Sequence, residues 1–139
     1  MLEAWGIVWL RSGKDGTYFP PTCTPSDIEI FEIPQKRHRT VCIEGAVSIQ
    51  NVLDMVDWIP KVSFNGYYIQ FEDAYTFFDR WYSHLRSTEK EPVYFDHDMA
   101  KSFVERIETA IKGRGLILMH LGHGWTAIPL ASLQVAGIP

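Results

Sequence analysis

The chain has 139 residues, of which 46% are hydrophobic and 22% are charged. This length and balance predict one globular domain, residues 1–139, and argue against intrinsic disorder. The formal net charge of −4 argues against a nucleic-acid partner, because phosphate contacts require a basic surface. Cys23 and Cys42 are too few for a disulfide framework and form no zinc-binding pattern. Since no basic leader and no apolar run of about 20 residues is visible, we expect a cytoplasmic protein without membrane contact.

Strands dominate the predicted elements of the first third of the chain. Residues Ala4–Leu10 and Thr17–Phe19 flank a Gly-rich turn and predict a hairpin. Partial alternation of apolar and acidic residues over Asp27–Ile33 predicts a half-exposed strand. The basic cluster Gln35–Arg39 is interpreted as a solvated tip, and Thr40–Glu44 as the strand that follows it.

A helix over residues 48–59 is predicted next, with Ser48 as its N-cap and Pro60 ending it. After it, Asn65-Gly66 separates two short runs rich in apolar residues. Asn-Gly is typical of a type I′ turn, which needs positive φ at both positions. The sequence therefore predicts a tight hairpin centred on this pair.

From Phe71 the apolar spacing changes to that of an amphipathic helix, which we predict over residues 71–87. A brief edge strand is expected at Val93–Phe95. Asp96 or Asp98 then caps a third helix over residues 98–112. The stripe of the helix over residues 71–87 is almost wholly aromatic and comprises Phe71, Ala74, Tyr75, Phe78, Trp81, Tyr82 and Leu85.

The most continuously apolar run follows, and glycines bracket it. We predict a strand at residues 115–121 that is buried on both faces, and further strands over 127–130 and 133–138. Strands and helices do not alternate regularly in this reading. The expected fold is α+β: a mostly antiparallel sheet with three helices, 48–59, 71–87 and 98–112, packed on it.

Two groups of residues could carry chemistry. His120 and His123 follow the buried strand, and two imidazoles near a strand end can converge on a metal ion. Asp96, His97 and Asp98 could supply general acid–base groups. Together they define one hypothesis, a small metal-dependent or His-based hydrolase. The simpler interpretation is that these aspartates cap a helix and that the histidines are structural, so we expect neither a metal nor a cofactor.

The favoured hypothesis is a protein-interaction module whose partner is another protein. No signature of a kinase, hydrolase, nucleotide-binding fold or zinc finger is complete, whereas aromatic and arginine side chains suit binding hot spots. Such a module acts as an inhibitor, an immunity-type or anti-defence protein, or an adaptor. Phe77 lies off the centre of the aromatic stripe and is expected to be partly exposed. The predicted partner-binding residues are Phe77, Arg80, Trp81, His84 and Arg86.

Overall fold

The computed structural model describes residues 2–22, 27, 29–71, 73–84 and 87–120. Two short strands, β1 (Val8–Trp9) and β2 (Thr17–Tyr18), pair antiparallel. Three others form a parallel sheet: β3 (Thr40–Cys42), β4 (Gly66–Ile69) and β5 (Ile117–His120). Within the parallel sheet, β4 lies between β3 and β5. The strand order in space therefore follows the order in the chain.

Helices make both crossovers between these parallel strands. Helix α1 (Ile49–Trp58) joins β3 to β4, and helices α2 (Ala74–Tyr82) and α3 (His97–Gly113) lie between β4 and β5. Parallel strands need such crossovers, because a tight turn can join only antiparallel neighbours. The α+β class and the three helices are thus confirmed, but the predicted mostly antiparallel arrangement is wrong for the main sheet.

The predicted Asn65-Gly66 hairpin is also wrong. Neither residue has a positive φ; the left-handed position is Ser63, with φ of 69°, at the end of a 3₁₀ turn over Ile59–Val62. Asn65 instead joins strands: its Oδ1 accepts from the Arg39 amide at 2.8 Å, and its Nδ2 donates to the Arg37 carbonyl at 2.8 Å. These contacts to residues far away in the chain override the local turn preference of the Asn-Gly dipeptide.

Side-chain caps place the helix starts. Ser48 Oγ accepts from the Asn51 amide at 3.1 Å, as predicted for α1. Asp73 accepts from the amides of Tyr75 and Thr76, so α2 begins three residues later than predicted and ends at Tyr82. These caps satisfy amides that have no partner within their own helix.

Asp96 caps α3, which was one of the two predicted options. Its Oδ1 accepts from the Met99 amide at 2.8 Å. At the other end the helix includes Gly113, and the residue with positive φ is Gly115, with φ of 66°. The observed helix, His97–Gly113, extends the predicted range of 98–112 by one residue at each end.

One apolar core lies between the sheet and the helices. The row Val41, Tyr67 and Leu118 runs across the three strands by register and faces this core. Fourteen buried side chains form it: Ile43, Val52, Val56, Ile59, Tyr67, Ile69, Phe77, Phe78, Phe95, Ala100, Phe103, Ile107, Ile111 and Leu116.

The predicted buried strand at 115–121 is found as β5, but it is not buried on both faces. Ile117 is 41% exposed and His120 is exposed, whereas Tyr67 and Ile69 of β4 are each 1% exposed. Among the described residues β5 pairs with β4 alone, so the central strand is β4. The predicted strands at 127–130 and 133–138 lie outside the described residues.

The N-terminal part is less regular than predicted. A 3₁₀ turn over Leu2–Trp5 replaces the start of the first predicted strand, and the hairpin of β1 with β2 is confirmed. The described residues of Asp27–Ile33 form no strand, and neither does Val93–Phe95. Each helix of the described chain is too short or too polar to cross a membrane.

Candidate functional site

The carboxylates of the hydrolase hypothesis serve structure at the start of α3. Beyond capping Met99, Asp96 accepts from the Tyr94 hydroxyl at 2.9 Å. The hydrogen bond from the Met99 amide, followed by that from Tyr94, lowers the pKa of Asp96. Asp98 is exposed in the first helical turn, and the ring of His97 stacks on Tyr75 with 4.1 Å between centroids. The capping interpretation of Asp96 is confirmed.

His120, the last residue of β5, lies beside the C-terminal half of α3. Its Nε2 is 3.9 Å from Glu108 Oε1, and the other oxygen of Glu108 accepts from Lys112 at 3.0 Å. Ten residues of helix separate Glu108 from Asp98, which corresponds to about 15 Å along the axis. The structure therefore does not bring the two described halves of the hydrolase hypothesis together. His123 lies outside the described residues.

No cluster of three or more His, Cys, Asp or Glu side chains with metal-binding geometry occurs in residues 2–22, 27, 29–71, 73–84 and 87–120. Cys42, a free thiol, is half-buried in β3. Zinc sites require several converging ligands, and among the described residues none converge at His120 or His97.

The aromatic side of α2 is mostly core. Phe77 is 8% exposed and stacks on Phe71 at 4.9 Å between ring centroids, so the expectation of an exposed Phe77 is wrong. The next turn adds Trp81, half-buried, with its ring edge-on to Phe77 at 5.6 Å. Rings on adjacent positions can both be buried here because Phe71, which precedes the helix, covers the outer one.

The remaining predicted partner-binding residues border α2. Arg80 is exposed on the helix surface. His84 is half-buried and adopts a left-handed backbone conformation, with φ of 47°, where the chain leaves the helix. Arg86 lies outside the described residues. A binding role for Arg80, Trp81 and His84 stays a prediction, but it loses the exposed phenyl ring that motivated it.

Large apolar side chains are exposed mainly in a different region, the N-terminal part of the described chain. Of the twelve exposed large apolar side chains among the described residues, eight lie between residues 2 and 33. Single exposed apolar residues are ordinary, but their concentration in one region marks interaction sites. Seven of them, here called the N-terminal apolar surface, are Val8, Leu10, Tyr18, Phe19, Ile30, Phe31 and Ile33.

The hairpin presents three of these side chains on one side. Val8 lies opposite Tyr18, and Leu10 follows two positions after Val8, so alternation places all three on the same side of the ribbon. They are 45%, 49% and 67% exposed, respectively. Trp9 faces the other side, where Lys61 Nζ is 5.3 Å from the ring centre. The hairpin therefore contacts the domain through Trp9 and presents its opposite side to water.

The segment from Ile30 to Ile33 adjoins the hairpin. Ile30 and Glu32 line a cavity of about 810 Å³ together with Trp9, which places the segment beside the inner side of the hairpin. Phe31 is 87% exposed and Ile33 76% exposed. A strand with one buried face could not hide both Ile30 and Phe31, because adjacent residues point to opposite faces. That adjacency is the signal in the sequence that our strand prediction overlooked.

Acidic side chains interrupt this apolar surface. Asp27, Glu29 and Glu32 are exposed along the segment. Within the part of the chain that the structure describes, none of the three forms an ion pair. The region therefore combines exposed apolar side chains with exposed acidic side chains.

Comparison of the chain with protein-family models, with curated proteins and with solved structures finds no match.

Proposed function

We propose that the protein is an interaction module that binds another protein through the N-terminal apolar surface. The observation that carries the proposal is the concentration of exposed apolar side chains in a region that adds no strand to the parallel sheet. Burial of apolar area contributes roughly 25 cal/mol per Å², so a partner covering these side chains gains a substantial driving force. Tyr18, Phe19 and Phe31 supply the aromatic anchors that dominate many interfaces.

The charges around the surface indicate the chemistry of the partner. Asp27, Glu29 and Glu32 favour a partner with an apolar patch flanked by lysine or arginine side chains. Charge complementarity of this kind speeds association and loses strength as salt is added. The proposed partner is therefore a basic-rimmed protein surface, and binding should weaken between low and high ionic strength.

The test compares three tagged variants for capture of protein from a lysate of the native host. Phe31→Ser and Ile33→Ser remove exposed apolar groups from the surface. Val47→Ser is the matched control, since Val47 is 71% exposed but precedes α1. All three should melt within a few degrees of wild type, because exposed substitutions usually change the free energy of unfolding by less than about 0.5 kcal/mol.

Quantitative mass spectrometry should identify a partner that wild type and Val47→Ser capture at least about tenfold better than the two surface variants. The amount of captured partner should fall as salt is raised from about 50 to about 500 mM, because salt screens the attraction between surface charges. Equal capture by all four proteins contradicts the proposal. Sedimentation of the purified protein tests the alternative that the surface holds two copies of this chain together. In that case wild type should sediment as a dimer, and the Phe31→Ser and Ile33→Ser variants should sediment as monomers.

A further inference from the structure

A small cavity lies between the hairpin turn and the end of α1. Its volume is about 250 Å³, just below the range of typical ligand pockets. The turn beside it is held close to α1, since Gly13 has φ of 86° and the space next to its Cα is occupied by Asp54 Oδ2. The lining comes from the hairpin and from α1 with its 3₁₀ extension: Arg11, Gly13, Lys14, Thr17, Asp54, Asp57, Trp58 and Lys61.

Positive charge predominates around this cavity. Asp57 Oδ2 accepts from Lys61 Nζ at 2.6 Å, and the Arg114 guanidinium pairs with the other oxygen of the same carboxylate. One carboxylate is thus shared by two cations. Asp54 uses Oδ1 to accept from Gln50 Nε2 at 2.7 Å.

Arg11 and Lys14 are the cations left over. Neither forms an ion pair with any residue in the described ranges. The lining therefore contains three cationic side chains, those of Arg11, Lys14 and Lys61, against the two carboxylates of Asp54 and Asp57, which leaves a local net charge of +1. The chain as a whole has a net charge of −4.

Trp58 contributes a second, independent observation. Its indole Nε1 is buried and has no hydrogen-bond acceptor among the described residues. A buried N–H group without an acceptor is destabilising, and such groups are rare in folded proteins. Trp58 also lines the cavity, so an oxygen of a bound molecule would satisfy its indole N–H if binding turned Nε1, which is inaccessible to water, toward the cations of the hairpin turn.

We propose that this cavity binds a small anion through a carboxylate or phosphate group. Arg11 and Lys14 supply charge, and Trp58 supplies a neutral N–H donor. The guanidinium of Arg11 can donate two parallel hydrogen bonds to either kind of group, whereas Lys14 acts as a point charge. The residues that line the cavity include none of the seven residues of the N-terminal apolar surface, so the two sites can be tested separately.

Titration calorimetry at low ionic strength tests the proposal with two probes, inorganic phosphate and succinate. Wild type should bind one of them saturably with a stoichiometry near one, and the stronger probe identifies the source of the anionic group. Arg11→Gln and Lys14→Gln should each weaken that binding about tenfold, as expected for loss of a charge-assisted contact. Trp58→Phe, which keeps a ring but removes the N–H, should also weaken it.

Lys36→Gln is the matched control, because it removes an exposed cation outside the cavity. It should leave the affinity unchanged, and the melting temperature verifies that each variant is folded. The proposal is overturned if neither probe binds saturably, or if Lys36→Gln weakens binding as much as Arg11→Gln and Lys14→Gln do. Both results are independent of partner capture, so failure here and failure of the proposed protein-binding function are distinguishable.

Discussion

Large apolar side chains are buried more often than exposed in residues 40–120, whereas in the described part of residues 2–39 they are exposed more often than buried. The later region contains fourteen buried apolar residues that form one cluster, while in the described part of the earlier region Ile7 is the one buried large apolar side chain. Eight large apolar side chains are exposed in residues 2–33, against four in residues 47–117. The buried apolar area thus lies mainly in residues 40–120, and the exposed apolar side chains lie mainly in the N-terminal part.

The two regions also differ in how their backbones are held. In residues 40–120 both outer strands of the parallel sheet, β3 and β5, are hydrogen-bonded to β4. Side-chain N-caps begin each of the three helices there. The N-terminal hairpin has two paired residues on each strand and rests on the domain through Trp9 and Lys61. Regions with few buried contacts open locally at low free energy, so the hairpin should exchange its amide hydrogens sooner than β4.

The largest difference should come from phenylalanine truncations in the two regions. Phe78 is fully buried and its ring contacts those of Phe71, Trp81 and Phe103. Phe78→Ala should lower the free energy of unfolding by about 3–5 kcal/mol, the usual range for a buried ring. Phe31→Ala should change it by less than about 0.5 kcal/mol.

Urea denaturation of both variants provides the measurement. A loss of more than about 2 kcal/mol for Phe31→Ala would place this ring in a second core and would break the comparison. A small loss for Phe78→Ala would mean that the α2 rings pack far more loosely than the structure describes.

A second prediction concerns the contact between β3 and β4. A Cβ on Gly66 would lie 2.6 Å from Thr40 Cγ2 and 3.2 Å from the Ile117 carbonyl oxygen. Gly66→Ala should therefore destabilise the protein by about 1–3 kcal/mol through overpacking. Thr40→Ser removes the obstructing methyl group and should recover part of that loss in the double variant.

Thermal denaturation of the two single variants and the double variant measures this coupling. Additive effects of Thr40→Ser and Gly66→Ala would show that the two side chains do not meet, since residues in contact are expected to couple by about 0.5 kcal/mol or more. Gly45→Ala is not a suitable control, because Gly45 has φ of 88° and an alanine there would be strained whatever the space around it.

The smallest change in stability is expected from lowering the pH. It concerns residues 40–120, where Asp73 caps α2. The hydrogen bond from the Thr76 hydroxyl, together with those from the amides of Thr76 and Tyr75, lowers the pKa of Asp73 below its ordinary value. A lowered folded-state pKa means that the stabilisation is present above the unfolded-state pKa and is lost as the pH falls through the folded-state pKa.

Asp73→Asn keeps a capping oxygen but does not titrate, so it should flatten the acid side of the stability curve. Stability measured from neutral pH down to about pH 2 should show the loss in wild type and a smaller loss in the variant. Identical acid profiles for the two proteins would show that the cap is not the acid-sensitive contact.

The helices were predictable because their signals are long and mutually consistent. Ser48 followed by apolar residues at helical spacing predicts α1 to within one residue, and Asp96 marks the start of α3. The parallel sheet was not predictable in the same way. Its strands are three or four residues long, which is too short for periodicity to reveal which neighbour each strand pairs with.

The candidate site shows a similar division. Adjacent Ile30 and Phe31 were available in the sequence as a sign of exposed apolar surface, and the prediction of a half-buried strand obscured it. The exposure of Phe77 was misjudged because Phe71 packs over it from outside the helix, which helical spacing does not show. Arg11 and Trp58 line the same cavity because the hairpin packs against α1, and no local sequence pattern predicts that packing.

The position of Asn65 has a consequence for the order in which the sheet assembles. Its contact with Arg39 closes a loop of 26 residues. The hydrogen bond from the Ile117 amide to the Asn65 carbonyl closes a loop about twice as long, and each doubling of length adds about 0.6 kcal/mol of entropic cost. The unit of β3, α1 and β4 should therefore close first, and β5 should join it later. Each strand then meets a neighbour already in place, in the same sequence in which the ribosome delivers them.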